Sequence, residues 1–174
     1  IPFAVPLARV EDVEAMAREA SPVVAVRALQ ARRASLIVSG PESEREDLLA
    51  DFSEPVRTRL MRLGSTLEAI DYVPHTADCI AEAIQKQSSD LILLASISAT
   101  IDREDVIPAG IRAAGGTLAH FGVPVDPGSL LVLGYRGTTP IVGLPGCVKS
   151  LQTNVIDMIL PRLLAGERLT RADL

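Results

Sequence analysis

The sequence predicts an α/β domain: a three-layer, doubly wound, mostly parallel sheet with helices on both faces and a C-terminal hairpin. Predicted strands alternate with predicted helices along most of the chain, which is the order that crossover connections produce. The residues are 48% hydrophobic but only 3% aromatic, and tryptophan is absent. Such an aliphatic composition is typical of parallel strands covered by helices. The 174 residues suffice for one domain with a substantial core.

Capping residues and breakers set the element boundaries in the N-terminal half. Ser43 to Glu46 has the spacing of a capping box. Ser53-Glu54-Pro55 predicts a helix start, with Gly64 just past the helix end. Thr76 predicts the N-cap of the next helix. The elements predicted in this half are helices over 10–20, 53–64 and 76–86 and strands over 22–26, 35–39 and 67–73.

Apolar runs and turn residues place the elements of the C-terminal half. The continuous run 90–95 is typical of a central parallel strand. Arg136-Gly137-Thr138 separates two short apolar runs and predicts a hairpin. Pro161 is expected to end or kink the last helix. The elements predicted here are strands over 90–95, 117–121, 130–133 and 140–142, helices over 104–114 and 148–160, and a peripheral tail from 166.

Composition argues against several classes of protein. The net charge is −5, and no basic stripe interleaved with aromatics occurs, which argues against a nucleic-acid-binding protein. The cluster Arg57, Arg59 and Arg62 is predicted to be a solvated helix face. No apolar run reaches the roughly 18 residues of a membrane span. Two cysteines without zinc spacing or a disulfide framework favour a cytoplasmic setting. The first residues lack a Met and a basic leader, so we expect the chain to begin inside a longer polypeptide.

Four polar loops follow predicted strands, and ligands of doubly wound domains bind outside the carboxyl ends of the strands. These loops are 39–42, 96–105, 126–128 and 144–150. Glycines in two of them would allow a ligand to approach the backbone closely. Lys149 and Ser150 fall in the first turn of the predicted last helix, where helix N–H groups bind anions. A phosphate, a pterin edge or an oxyanion would each suit such a rim.

Each of these residues also has an ordinary structural interpretation. Asp102 and Asp105 are three residues apart, so they would bind Mg²⁺ or a nucleotide phosphate, or simply cap a helix. The hydroxyls of Ser96, Ser98 and Thr100 would bind an anion or their own backbone. The two loop glycines would approach a ligand or only satisfy positive φ.

Two further residue types are interpreted in the same way. Cys147 would bind a metal, or serve as a small buried hydrophobe. We do not expect Ser98 to be a nucleophile, because no His or Asp partner stands at motif spacing. His75 and His120 share no metal motif and are expected to be structural or on the surface.

The ordered combination of these segments resembles the molybdopterin-binding domain family. Ser-Gly-Pro-Glu at residue 39, Asp-Arg-x-Asp-Val-Ile-Pro at 102, Pro-Val-Asp-Pro-Gly at 124 and Gly-Leu-Pro-Gly-Cys at 143 carry the resemblance. That family includes molybdopterin adenylyltransferases and molybdate-insertion enzymes of molybdenum cofactor synthesis. The similarity is strongest to a branch found alone or fused to a nucleotidyltransferase domain. It divides the chain into an N-terminal extension (1–34), the molybdopterin-binding domain (35–168) and a tail (169–174).

The resemblance implies a pterin-phosphate pocket at the strand ends. It implies binding of molybdopterin or its nucleotide form, with Mg²⁺ and ATP if nucleotidyl or molybdate transfer occurs. The alternatives are a non-catalytic cofactor carrier and an oligomerisation or interaction domain of a longer protein. The implied partners are a molybdoenzyme or a fused nucleotidyltransferase domain, and members commonly form homo-oligomers.

Resemblance and loop chemistry together predict two sets of site residues. Asp102 and Asp105 are the predicted catalytic and metal-binding carboxylates. The predicted cofactor-binding residues are Ser39, Gly40, Glu42, Ser96, Ser98, Asp126, Gly128, Pro145, Gly146, Cys147, Lys149 and Ser150. The chain departs from the family pattern at three places: Ala95-Ser96 replaces Thr-Gly-Gly, His75 stands near a usual Asp, and Cys147-Val148 replaces Asn-Pro.

Overall fold

A computed structural model describes residues 4–21 and 24–174. The helices are α1 Leu7–Glu19, α2 Arg45–Arg62, α3 Ala77–Lys86, α4 Val106–Ala113 and α5 Val155–Leu164. The strands are β1 Arg33–Ser39, β2 Thr66–Val73, β3 Leu91–Ser96, β4 Thr117–Phe121, β5 Val132–Arg136 and β6 Thr139–Gly143. Short 3₁₀ turns cover Glu42–Glu44, Gly146–Lys149 and Arg171–Asp173.

The strands form a six-stranded sheet in the order β2-β1-β3-β6-β5-β4. β1 pairs in parallel with β2 and with β3, and β3 pairs in parallel with β6. β5 is antiparallel to both β6 and β4, so β4 runs in the same direction as the parallel strands. The predicted mostly parallel sheet and its C-terminal hairpin, β5–β6, are therefore confirmed.

Helices cover both faces of the sheet because successive strand side chains point to opposite faces. Leu36 of β1 and Leu93 of β3 belong to a core with α2 and α5. Their neighbours Ile37 and Leu94 belong to a second core with α3 and α4. The predicted three layers are confirmed, and the core is aliphatic as the composition indicated. Among the described residues, no helix is long and apolar enough to cross a membrane.

The N-terminal extension differs from the prediction. The predicted strand 22–26 begins at Pro22 and Val23, which lie outside the described residues. The rest of that segment forms no strand, and its Val26 is 97% exposed. The predicted first helix is present as α1, but none of its residues is buried.

The second helix begins earlier than the capping signals indicated. α2 starts at Arg45 and passes through Pro55, so the predicted start at Ser53 is wrong. The predicted capping box at Ser43 does not form, since the N-cap Glu44 accepts no side-chain capping bond. Burial extends the helix toward its N-terminus, because Phe52 packs in the core one turn before Pro55. A proline inside a helix lacks one N–H and crowds the carbonyl four residues earlier, at a cost of about 3 kcal/mol that burial of this helix must offset.

The last helix begins later than predicted, and the tail is anchored. α5 starts at Val155 because Asn154 forms a capping box with Asp157, and residues 146–149 form a 3₁₀ turn instead. The tail is not peripheral, since Leu169 is only 1% exposed. The Tyr135 hydroxyl donates to the Leu169 carbonyl at 3.2 Å and accepts from its amide at 2.9 Å.

Candidate functional site

The polar loops that follow β1, β3 and β6 meet at one edge of the sheet. Ser39 and Ser96 are partners in the β1–β3 ladder, so their strands end side by side. The Ile97 amide donates to the Ser39 carbonyl at 3.0 Å. The Leu144 amide donates to the Leu94 carbonyl at 2.7 Å, which brings the loop after β6 beside the loop after β3. Three of the four predicted loops therefore share this rim.

The fourth loop joins the rim through the start of α5. The Val155 amide donates to the Pro127 carbonyl at 3.2 Å. Gly128 has φ +122°, and a Cβ there would lie 2.3 Å from Cγ1 of Val155. The positive φ and the close approach of Val155 fit the structural interpretation of this glycine, and its predicted cofactor contact stays a prediction. The negative charge of Asp126 adds to burial in raising the pKa of the Cys147 thiol.

A histidine that the sequence did not single out for chemistry lies between two predicted site serines. His75 follows β2, and its Nδ1 lies 2.9 Å from Oγ of Ser39. Its Nε2 lies 3.1 Å from Oγ of Ser98. No histidine stands at motif spacing from Ser98 in the sequence, but His75, 23 positions away, reaches it where the parallel strands end.

The hydrogen-bond network assigns the protons in this cluster. One arrangement of protons makes all three contacts hydrogen bonds at once: the Ser39 hydroxyl donates to the Ala95 carbonyl at 3.3 Å, and its oxygen accepts from Nδ1–H of His75. In the neutral ring Nε2 is then the acceptor, and the Ser98 hydroxyl donates to it. Burial lowers the pKa of His75 below its ordinary value of 6.5, and the charge of Asp105 opposes that effect. The imidazole is therefore neutral at pH 7.

The two predicted carboxylates are engaged with the loop backbone. Oδ2 of Asp105 accepts from the Ile101 amide at 2.6 Å and the Asp102 amide at 2.9 Å. These bonds lower the pKa of the Asp105 carboxyl, which is ionised at neutral pH. Oδ1 of Asp102 accepts from the Glu104 amide at 2.8 Å. Within residues 4–21 and 24–174, no group of three or more His, Cys, Asp or Glu could hold a metal ion.

A cavity of about 230 Å³ lies beside this cluster. His75, Ser98 and Asp105 provide its polar wall. The remaining lining is Ala99, Thr100, Ile101, Val106 and Ile107, which is mostly apolar. None of the described residues that line it is a lysine or an arginine, so its only formal charge is a carboxylate.

The loop after β6 contributes further predicted site residues to the rim. Gly146 is exposed, and a Cβ built on it would meet nothing within 4 Å. Burial raises the pKa of the Cys147 thiol, so it is protonated at pH 7 and a poor metal ligand. Nζ of Lys149 is 2.8 Å from a carboxylate oxygen of Asp51 on α2. Lys149 and Ser150 lie in and after the 3₁₀ turn, so their predicted place in the last helix is wrong.

Other predicted site residues serve the loops around them. A Cβ on Gly40 would lie 2.6 Å from the Tyr72 hydroxyl oxygen, so this glycine permits packing. Glu42 is exposed and pairs with Arg45 at 3.3 Å. The Ser96 hydroxyl donates to the Ser98 carbonyl at 2.6 Å, the local backbone role considered above. Pro145, in the loop after β6, is buried.

Arg59 was assigned to a solvated face, and that prediction is wrong. Its side chain is 4% exposed and lies 3.0 Å from a carboxylate oxygen of Asp157. It also donates to the carbonyls of Val148 at 3.0 Å and Ser150 at 2.7 Å. Arg59 therefore ties the loop after β6 to α2. Its spacing from the buried Phe52 and Val56 on the same helix is the signal that would have revealed it.

Solved structures of other proteins share the fold described above. No protein-family model matches the sequence, and no curated protein matches it. Among solved structures, the molybdopterin biosynthesis enzyme MoaB from Thermus thermophilus is similar with a TM-score of 0.56 and 20% identity over 78% of this chain and 98% of that chain. CinA from Thermoplasma acidophilum, a protein described as of unknown function, has a TM-score of 0.57 and 16% identity over 77% of this chain and 98% of its own.

A larger protein contains the same fold as one part. The molybdopterin biosynthesis MoeA protein from Pyrococcus horikosii matches with a TM-score of 0.55 and 16% identity over 78% of this chain. This chain spans only 35% of that protein. At these identities the likeness shows a common fold. The resemblance drawn from the loop motifs is thus confirmed in its architecture: the chain has the fold found in proteins of molybdopterin biosynthesis.

Proposed function

We propose that this domain binds molybdopterin or its nucleotide form during molybdenum cofactor biosynthesis or maturation. The observation that carries the proposal is the meeting of the motif-bearing loops at the carboxyl edge of the sheet, in a fold that MoaB and MoeA also have. Ligands of doubly wound sheets bind at this edge. The chain's two free cysteines fit a reducing, cytoplasmic compartment.

The loop after β6 supports binding of the ligand's phosphate end. Gly146 leaves open space over the backbone, which a Cβ would partly fill. Lys149 supplies a cation close by, held in place by Asp51. The cavity beside Asp105 carries a carboxylate instead, so an anion there would need a bridging cation such as Mg²⁺. Asp102 and Asp105 each retain a carboxylate oxygen with no hydrogen bond within the described part of the chain.

A fluorescence titration of the purified domain with molybdopterin tests the proposal. We expect saturable binding that weakens at least tenfold in a Gly146→Val variant, because the added side chain occupies open space at the rim without displacing a neighbour. Thr138→Val is the matched control, since Thr138 lies in the β5–β6 turn at the opposite edge of the sheet. No binding at high micromolar ligand, or equal binding by both variants, would refute the proposal.

Repeating the titration with Mg-ATP separates the proposed activities. An adenylylated product that Asp102→Ala removes would identify a nucleotidyltransferase with these carboxylates in its site. Binding without turnover would identify a carrier of the cofactor for a molybdoenzyme or a fused nucleotidyltransferase domain. The proposed homo-oligomer is checked by light scattering of the same sample.

A further inference from the structure

We propose that Ser98 is a base-activated nucleophile and that His75 is its general base, acting on small, neutral carboxylic esters. The inference goes beyond the proposed cofactor binding and has a separate readout. It starts from a histidine that the predicted cofactor site does not include. The His75 imidazole joins the Ser98 hydroxyl and the buried Ser39 in one hydrogen-bond chain, and both serines are also predicted to contact the cofactor.

The geometry satisfies the first requirement of nucleophilic catalysis. Oγ of Ser98 and Nε2 of His75 are 3.1 Å apart, within the range for proton transfer. The proton assignment leaves the lone pair of Nε2 directed at the Ser98 hydroxyl. Ser98 is exposed, so a substrate reaches it. The Ser96 hydroxyl bond to the Ser98 carbonyl holds this part of the loop.

Ser39 orients the base in the way that a third group does in serine enzymes. It is 0% exposed, and in this arrangement of protons its hydroxyl donates to the Ala95 carbonyl at 3.3 Å. Its oxygen therefore accepts Nδ1–H and fixes the ring and its tautomer. Ser39 is a positioning residue. The carboxylate of Asp105, which favours protonated His75, is the charged group acting on the imidazole. The lowered pKa keeps the ring neutral and ready to accept a proton at pH 7.

The cavity defines the class of substrate. Half of the residues that line it are apolar, and its formal charge is the carboxylate of Asp105, which repels anionic esters such as phosphates. Its volume of about 230 Å³ admits a short acyl chain. Ile97 and Ile101 add exposed apolar surface on either side of Ser98. Within the described residues, no hydrogen bond uses the amides of Ser98, Ala99 or Thr100, so the loop keeps donors for an acyl oxygen.

The reaction proceeds in two balanced steps. Oγ of Ser98 bonds to the acyl carbon while its proton passes to Nε2 of His75. The ester C–O bond then breaks, and the departing alkoxide takes that proton and leaves as the alcohol. Water attacks the acyl-serine, giving its proton to Nε2, and Ser98 departs with that proton as the free acid forms. The net change is ester plus water to acid plus alcohol.

Labelling with a biotinylated fluorophosphonate tests the nucleophile directly. We expect one equivalent of label on the Ser98 peptide, and none on that peptide in Ser98→Ala. His75→Gln should lower the labelling rate constant by about 100-fold or more, the usual contribution of a general base. Ser88→Ala, an exposed serine away from the rim, is the matched control and should label as the parent does. Labelling no faster than in urea-unfolded protein, or at an unchanged rate in His75→Gln, would overturn the proposal.

Hydrolysis of 4-nitrophenyl butyrate tests the roles of the individual groups. The rate should rise with pH to a plateau, with a midpoint below 6.5 set by His75. Ser39→Ala should lower kcat about tenfold and leave KM within twofold, because it orients the base without touching the ester. A Ser39→Ala effect confined to KM, or an unchanged pH midpoint in His75→Gln, would contradict these roles. A domain that binds molybdopterin but is not labelled would retain the first proposal and lose this one.

Discussion

Replacing Arg59 by methionine tests whether one buried guanidinium holds the rim together. Methionine keeps much of the length and the apolar stem but removes five hydrogen bonds, to the Asp157 carboxylate and to four backbone carbonyls. Removing one partner of a buried, hydrogen-bonded ion pair lowers the free energy of unfolding by roughly 3–5 kcal/mol. Asp157 is 31% exposed, so water partly replaces the lost partner. We therefore expect a loss of about 3 kcal/mol, the lower end of that range.

Urea unfolding followed by circular dichroism measures the loss. With a slope of about 2 kcal/mol per molar, the midpoint should fall by about 1.5 M. The melting temperature should fall by about 6–12 °C for a chain of this length. Arg59→Lys should lose less, because the ammonium keeps the charge but cannot reach Asp157 and several carbonyls at once.

Arg57→Met is the matched control on the same helix. Its guanidinium side chain is 38% exposed and pairs with Glu54 at 3.4 Å. Exposed pairs contribute about 0–1 kcal/mol, so the control should lose less than about 1 kcal/mol. If Arg59→Met and Arg57→Met unfold at the same urea concentration, the reasoning from burial and hydrogen bonding is refuted.

Two further predictions concern the rim. Gly128→Ala should lower the free energy of unfolding by about 2–4 kcal/mol, because its Cβ would lie 2.3 Å from Cγ1 of Val155 at φ +122°. Gly146→Ala should lower it by less than about 1 kcal/mol, since a Cβ there meets nothing within 4 Å. Equal urea midpoints for the two variants would contradict this prediction. The lowered pKa of folded His75 means that the unfolded chain binds more protons, so its contribution is complete above pH 6.5 and declines as pH falls toward the folded pKa. His75→Gln should weaken the dependence of the free energy of unfolding on pH below pH 6.5, measured by urea titrations at several pH values. Parallel pH profiles for the parent and the variant would contradict this prediction.

The sequence was sufficient for the six strands of the sheet and their order along the chain, but it also predicted a strand over 22–26, whose described residues form none. Residues 91–95 form one apolar run and are all buried, as a central strand requires. Thr76 caps α3 as its pattern predicts, accepting from the Cys79 amide at 3.3 Å. These features depend on neighbours in sequence, so composition and spacing reveal them. The ends of α2 and α5 depend on tertiary burial and on the Asn154 cap, and there local signals were misleading.

The sequence predicted which loops would meet, but it did not predict the contacts that individual loop residues make. The loops after β1, β3 and β6 meet at one rim as expected, because parallel strands present their carboxyl ends together. The structure adds contacts that the sequence did not reveal: Gly128 packs against Val155, and Lys149 pairs with Asp51. The cofactor contacts predicted for the loop residues stay predictions.

The sequence by itself determined the layer architecture, since hydrophobic period and turn chemistry act over a few residues at a time. Only the tertiary structure decided which polar groups meet. His75 reaches Ser39 and Ser98 across 36 and 23 residues of chain, and Arg59 reaches Asp157 across 98. No local pattern encodes such pairs, because strand order in the sheet and the packing of α2 against the β6–α5 loop bring them together. The cost of leaving a buried guanidinium or hydroxyl unpaired then selects those partners.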